Sequence, residues 1–134
     1  MEPLRVLIAD PDEQLLQSYR AGLAPYGFQV ATAAEGGECL DKLRRFGPEV
    51  LVLAPDLFGE EAERGLARVR EECLDPPLPV IVLCAGSHPR HRKALRAFPM
   101  SEGHCKPLTA TQLAYRIARI LQGVPRQKVR GTVR

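Results

Sequence analysis

"PEVLVLAPDLF", Pro48 to Phe58, is the stretch whose reading decides the fold. Val50 to Ala54 is β-branched and leucine-rich, with no polar residue alternating along it. Pro55 and Asp56 then end it in a loop. A short apolar run bounded by turn formers is a strand buried on both faces, as parallel sheets require. The end of such a strand is where an α/β protein presents its reactive groups. Here that position is Ala54, which presents a methyl.

Outward from this strand, apolar runs alternate with helical periodicity. Leu4 to Ala9 reads as a strand, followed by a helix with Leu15, Leu16, Tyr19 and Leu23 inward and Gly27 as its stop. Phe28 to Thr32 is a second strand and Glu38 to Phe46 a second helix. After the Val50 strand come a helix over Glu60 to Cys73, with Ala62, Leu66 and Val69 inward, and a strand over Val80 to Cys84. Arg90 to Phe98 is a short basic helix, His104 to Cys105 a brief strand, and Thr111 to Leu121 a last helix with Leu113, Ile117, Ile120 and Leu121 on one side. Five strands alternating with five helices predict a doubly wound α/β sandwich around a parallel sheet. One domain over residues 1–123 and a basic tail over 124–134 are expected, and 134 residues suffice for a single core.

The net charge of +3 conceals an asymmetry. Residues 1–76 hold 8 Lys and Arg against 15 Asp and Glu, a balance of −7, whereas residues 77–134 hold 11 against 1, a balance of +10. Opposed halves of this kind point to a surface for an anionic partner, unless the charges are an ordinary solvated face. Nucleic acid is disfavoured, because an aromatic content of 5% leaves few stacking platforms and no helix-turn-helix is available. No basic start leads into an apolar signal-type segment and no apolar run reaches about 18 residues, so a cytoplasmic protein without membrane contact is expected. Cys39, Cys73, Cys84 and Cys105 lack C-x-x-C spacing and fall on predicted helices and strands, so they read as packing thiols. His88, His91 and His104 lie in or near a basic segment that disfavours a zinc site.

The segments "RVLIADPDEQ", "PEVLVL", "PLPVIVLCA" and "CKPLTATQL" together resemble the receiver domain of bacterial response regulators, the CheY-like flavodoxin fold. The resemblance covers roughly residues 4 to 123 and implies strand order 2-1-3-4-5. It also implies a phosphoacceptor aspartate after strand three, acids after strand one that hold Mg²⁺, a Ser or Thr after strand four, a Lys-Pro with a cis bond after strand five, and an aromatic reporter on that strand. Position by position the match is poor. Ala54 stands at the acceptor, Asp10 keeps the first acid but Pro11 replaces the second, Cys84 stands at the Ser/Thr position, and Gly103 replaces the aromatic. Lys106 and Pro107 are kept.

With two expected carboxylates missing, a hard cation such as Mg²⁺ loses oxygen ligands, so weak or absent binding is expected. In-line phosphoryl transfer also needs a nucleophile and a neutralising charge, and the acceptor is gone. A degenerate receiver follows, with a constitutive protein-interaction role and no enzymatic activity. The resemblance places its contacts on the face formed by helix four, strand five and helix five, carrying Arg90, Arg92, Lys93, Arg96, Arg116 and Arg119. The partners implied are a histidine kinase, another regulator or a second copy. Two alternatives stand beside it: a displaced phosphoacceptor at Asp56 or Asp12, and binding of an anionic scaffold or nucleic acid by the basic half.

Two local readings complete the sequence picture. In "DPDE", Asp10 is expected to cap the first helix, with Pro11 at its first position and Glu13 closing a capping box. Lys106 is expected to pair with Asp10 across the strand ends, contributing on the order of 1 kcal/mol if partly exposed.

Overall fold

The computed structural model describes residues 2–74, 77–85, 89–98 and 100–122. The basic tail over 124–134, His88, and the side chains of Arg90 and His91 lie outside the described residues. Five strands, β1 (Arg5–Ala9), β2 (Gln29–Ala33), β3 (Val50–Leu53), β4 (Val80–Cys84) and β5 (Ser101–Cys105), form one sheet in the order β2-β1-β3-β4-β5, with all neighbours parallel. The helices are α1 (Glu13–Leu23), α2 (Gly36–Arg45), α3 (Ala62–Glu72), α4 (Pro89–Ala97) and α5 (Ala110–Gln122). This is the doubly wound order expected from the sequence.

The alternating sides of each strand explain why the apolar runs are continuous. Leu7, Ala9, Leu51, Leu53, Val80 and Val82 face one way and pack on Leu40 and Leu43 of α2, Leu66 and Val69 of α3, and Ala94 of α4 with Phe98 just beyond it. Val6, Ile8, Val50, Val52, Ile81 and Leu83 face the other way onto Leu16, Tyr19 and Leu23 of α1 and Leu113, Ile117 and Leu121 of α5. Each such side chain, fully withdrawn from water, stabilises the fold by roughly 1.5–3 kcal/mol before chain entropy is subtracted. The two clusters fix which way every strand side chain points, and hence what the strand ends present.

Most element ends shift by one or two residues from the sequence reading, and three differences have structural consequences. β5 is five residues long rather than two, because its backbone pairs with β4 from Val80↔Ser101 to Cys84↔Cys105 despite the poor strand propensity of "SEG". The Ser101 hydroxyl donates to the carbonyls of Leu95 (3.0 Å) and Phe98 (2.9 Å) and so closes the end of α4. Between β3 and α3 the chain makes a 3₁₀ turn over Pro55–Glu61, with a break at Gly59 (φ 57°), so α3 begins at Ala62 rather than Glu60. The third difference concerns α1: its cap is Asp12, whose carboxylate accepts from the N–H groups of Gln14 (3.1 Å) and Leu15 (3.2 Å), not Asp10. Asp10 is drawn instead into the strand-end pocket, and Glu13 becomes the first helical residue, where the helix dipole favours its charge.

Asp12→Ala is accordingly expected to cost about 1 kcal/mol. Urea unfolding of the variant reads this directly, and an unchanged midpoint would show that the cap contributes nothing.

Candidate functional site

The carboxyl ends of β1, β3, β4 and β5 converge because the strands are parallel and adjacent. Asp10, immediately after β1, is 2% exposed and is the buried charged residue of this chain's described part. Its Oδ1 accepts the Asp12 backbone N–H (2.9 Å) and its Oδ2 accepts the Lys106 ammonium (2.6 Å). The Lys106 side chain is 21% exposed, against 3% for that of Asp10, so the cation of the pair is partly exposed while its carboxylate is withdrawn. Lys106 is held from behind as well: its N–H donates to the Cys84 carbonyl (2.9 Å), and the Lys106–Pro107 peptide bond is cis.

Ala54 continues β3 in extended conformation and is 1% exposed. Its N–H donates to the Ala9 carbonyl (2.9 Å), and its own carbonyl accepts the Leu57 N–H (3.0 Å) as the 3₁₀ turn begins. Beyond the last residue of β3 the chain therefore presents a buried methyl. Asp56 is exposed on the turn beyond, Pro11 is exposed ahead of α1, and Cys84 is 7% exposed at the end of β4. Tyr19 closes the α1 side. Its hydroxyl donates to the Leu108 carbonyl (2.7 Å), and burial, with a smaller contribution from the Asp10 charge, raises its pKa above the ordinary phenol value.

The basic surface is less uniform than the sequence implied. Lys93 of α4 pairs with Glu63 of α3. Arg116 of α5 donates twice to Glu102 of β5, from Nε at 2.8 Å and from a terminal nitrogen at 2.9 Å. Arg92, Arg96 and Arg119 are exposed and make no ion pair among the described residues. Of the four cysteines, Cys39, Cys73 and Cys84 are buried as expected, but Cys105 is exposed, because β5 is an edge strand and its end is left uncovered. Among the described residues no group of three or more His, Cys, Asp or Glu side chains is arranged to hold a metal ion, and no helix is long and apolar enough to cross a membrane.

Sequence reading missed the cluster of Glu102, His104 and Arg116, in which the His104 ring lies 2.9 Å from the same carboxylate. A signal was present, since Glu102 is the one acid among residues 77–134. The Arg116 hydrogen bond first, and the His104 contact after it, hold the Glu102 carboxyl below the ordinary glutamate value of 4.5. A group whose folded pKa is depressed contributes stability above its unfolded pKa and loses it as pH falls through the folded one. Glu102→Gln is therefore expected to remove on the order of 1 kcal/mol at pH 6 and almost nothing well below pH 4, the side chain being only 24% exposed. Urea midpoints of both proteins at pH 6 and pH 3 test this, and a pH-independent difference would contradict it.

No family model matches the chain. It is 32% identical over 121 residues to the transcriptional regulatory protein PrrA of Mycobacterium tuberculosis, covering 88% of this chain and 50% of the relative. The chain thus spans about half the length of the curated relatives it matches. Among solved structures, a receiver domain protein (CheY-like) from Methanospirillum hungatei superposes with a TM-score of 0.78 at 24% identity, over 91% of this chain and 96% of that one. The chemotaxis protein CheY4 of Vibrio cholerae superposes with a TM-score of 0.75 at 21% identity, over 88% and 98%.

Proposed function

We propose that this chain is a receiver (CheY-like) domain of the response-regulator kind that serves two-component signalling as a phosphorylation-independent interaction module. Ala54 carries this reading. A receiver is switched when phosphate shifts its balance between two packings, and that shift requires a nucleophilic oxygen at the end of β3. A methyl provides none. The adjoining acid is already neutralised, since Lys106 holds one oxygen of Asp10 and the Asp12 N–H holds the other. Magnesium fits this donor set poorly, because a single paired carboxylate falls short of the oxygen shell the ion takes. No phosphoryl step is assigned.

The working surface is then the α4-β5-α5 side, where Arg92, Arg96 and Arg119 stay exposed for an acidic partner surface, on a kinase, another regulator or a second copy. Incubation of the chain with acetyl phosphate and Mg²⁺ is expected to leave its mass unchanged. A gain of one phosphoryl group, abolished by Asp56→Asn or Asp12→Asn, would overturn the reading in favour of a displaced acceptor. Charge reversal at Arg92, Arg96 and Arg119 is expected to weaken partner capture at least tenfold, and equal capture would remove the basic face from the account.

A further inference from the structure

Two of the four thiols stand side by side at the strand ends. Cys84, the last residue of β4, is the register partner of Cys105, the last residue of β5, and neither is in a disulfide. Register partners on neighbouring strands project from the same face of the sheet. Neighbouring strands run about 4.8 Å apart, inside the Cα separation of about 4.4–6.8 Å that a disulfide spans. In a parallel pair the Cβ atoms keep about that strand spacing, wider than the roughly 3.8 Å between the Cβ atoms of a relaxed bridge. A bond drawn across the pair is therefore under tension, and strained disulfides are the readily reduced, regulatory ones.

Access separates the two sulfurs into distinct roles. Cys105 is exposed, whereas Cys84 is 7% exposed. Cys39 and Cys73 offer a contrast, at 0% and 3% exposure inside the α2 and α3 packing, where burial first and the neighbouring Cys73 next push the Cys39 thiol up to about 12. That pair is closed to soluble oxidants. The Cys84 carbonyl is also the acceptor for the Lys106 N–H, so a covalent change at Cys84 reaches the residue that neutralises Asp10.

We propose that Cys84 and Cys105 are a redox modification site, converted by hydroperoxide into a reversible intramolecular disulfide. The Cys105 thiolate attacks one peroxide oxygen, the O–O bond breaks, and the second oxygen leaves as hydroxide, which takes up a proton to give water. Cys105 is then a sulfenic acid. The Cys84 sulfur, losing its proton, attacks the Cys105 sulfur, the S–O bond breaks and a second water leaves. Two thiols lose two electrons in all, and one hydroperoxide is reduced to two waters or to water and an alcohol. A dithiol reductant reverses the bond. The site draws on the end of β5, independently of whether the chain accepts phosphate.

The test uses the full chain, reduced and then treated with hydrogen peroxide. Thiol counting with a maleimide mass tag is expected to fall from four to two, and to return to four with dithiothreitol. Because Cys73 and Cys84 share one tryptic peptide, a second cleavage before Asp75 separates them, and the linked species is expected to join the peptides of Cys84 and Cys105. Cys84→Ala is expected to leave Cys105 as a sulfenic acid that a dimedone probe captures. Four thiols surviving in the wild-type chain would overturn the proposal. So would a Cys39–Cys73 link, or Cys105 recovered only as sulfinic acid or as a bridge between two chains while Cys84 stays reduced.

Discussion

Lys106→Met is expected to lower the stability of this fold by about 3 kcal/mol, more than an exposed ion pair would explain. The asymmetry of burial is the reason. The Asp10 side chain is 3% exposed and receives the Lys106 ammonium at 2.6 Å. Removing the cation leaves a buried carboxylate with one remaining hydrogen bond, from the Asp12 N–H. An uncompensated buried charge costs far more than the pair contributed in net terms, because the solvation given up on folding is no longer offset. The double variant Asp10→Asn/Lys106→Met is therefore expected to recover most of the loss, since a neutral amide can keep the Asp12 contact without a counter-charge. Chemical unfolding of the wild type, the two single variants and the double variant gives the coupling directly. Additive losses, with no recovery in the double variant, would show that the two side chains act separately and that the strand-end pair is incidental to the fold.

Gly65→Ala produces the second large effect, and its sign opposes helix propensity. Alanine in place of glycine within a helix ordinarily stabilises by about 1 kcal/mol. In α3 the new methyl would lie 2.1 Å from Cγ and 2.2 Å from Cδ1 of Phe58. The ring also packs closely on Gly36 of α2, where an added Cβ would lie 2.3 Å from the ring Cε1, so its room to move away is small. Phe58 is thus clasped between two glycines from two helices. Either the helices part or the ring swings into water and forfeits its burial, and overpacking of this kind costs about 1–3 kcal/mol. A net loss of about 2 kcal/mol is expected for Gly65→Ala. In a Phe58→Ala background the same substitution is expected to be neutral or stabilising, as helix propensity alone dictates. Thermal and urea unfolding of the four proteins decide it, and a stabilised Gly65→Ala single variant would show that the ring is not confined.

The sheet was legible in the sequence because its central strands are apolar on both faces. "VLIA", "VLVL" and "VIVLC" have no polar alternate that would turn one face to water, and their order with intervening helices leaves few topologies open. The strand-end residues were legible as positions for the same reason: once the strands are placed, Asp10, Ala54, Cys84 and Lys106 fall at their ends. What each side chain does there was harder to read. Asp10 and Asp12 are two acids in a three-residue loop, either of which makes a good helix cap by local chemistry. Only the long-range contact of Lys106, 96 residues away, removes Asp10 from that role. β5 was read short because "SEG" has little strand propensity, and pairing with β4 supplies what propensity does not. The confinement of Phe58 was invisible for a similar reason, since Gly36 and Gly65 carry no local signal of a ring between them.

The composition of β5 bears on how this chain behaves in a crowded solution. As the outer strand next to β4 it offers unpaired backbone groups along one side, the usual invitation for sheets of separate molecules to join. Its residues Glu102 and His104 are polar, and Glu102 is clamped by Arg116, so a second strand approaching the edge meets fixed charge before it meets backbone. The same feature that makes the strand hard to recognise from sequence sets charge along its open side, and charge at an open edge opposes pairing with the sheet of another molecule.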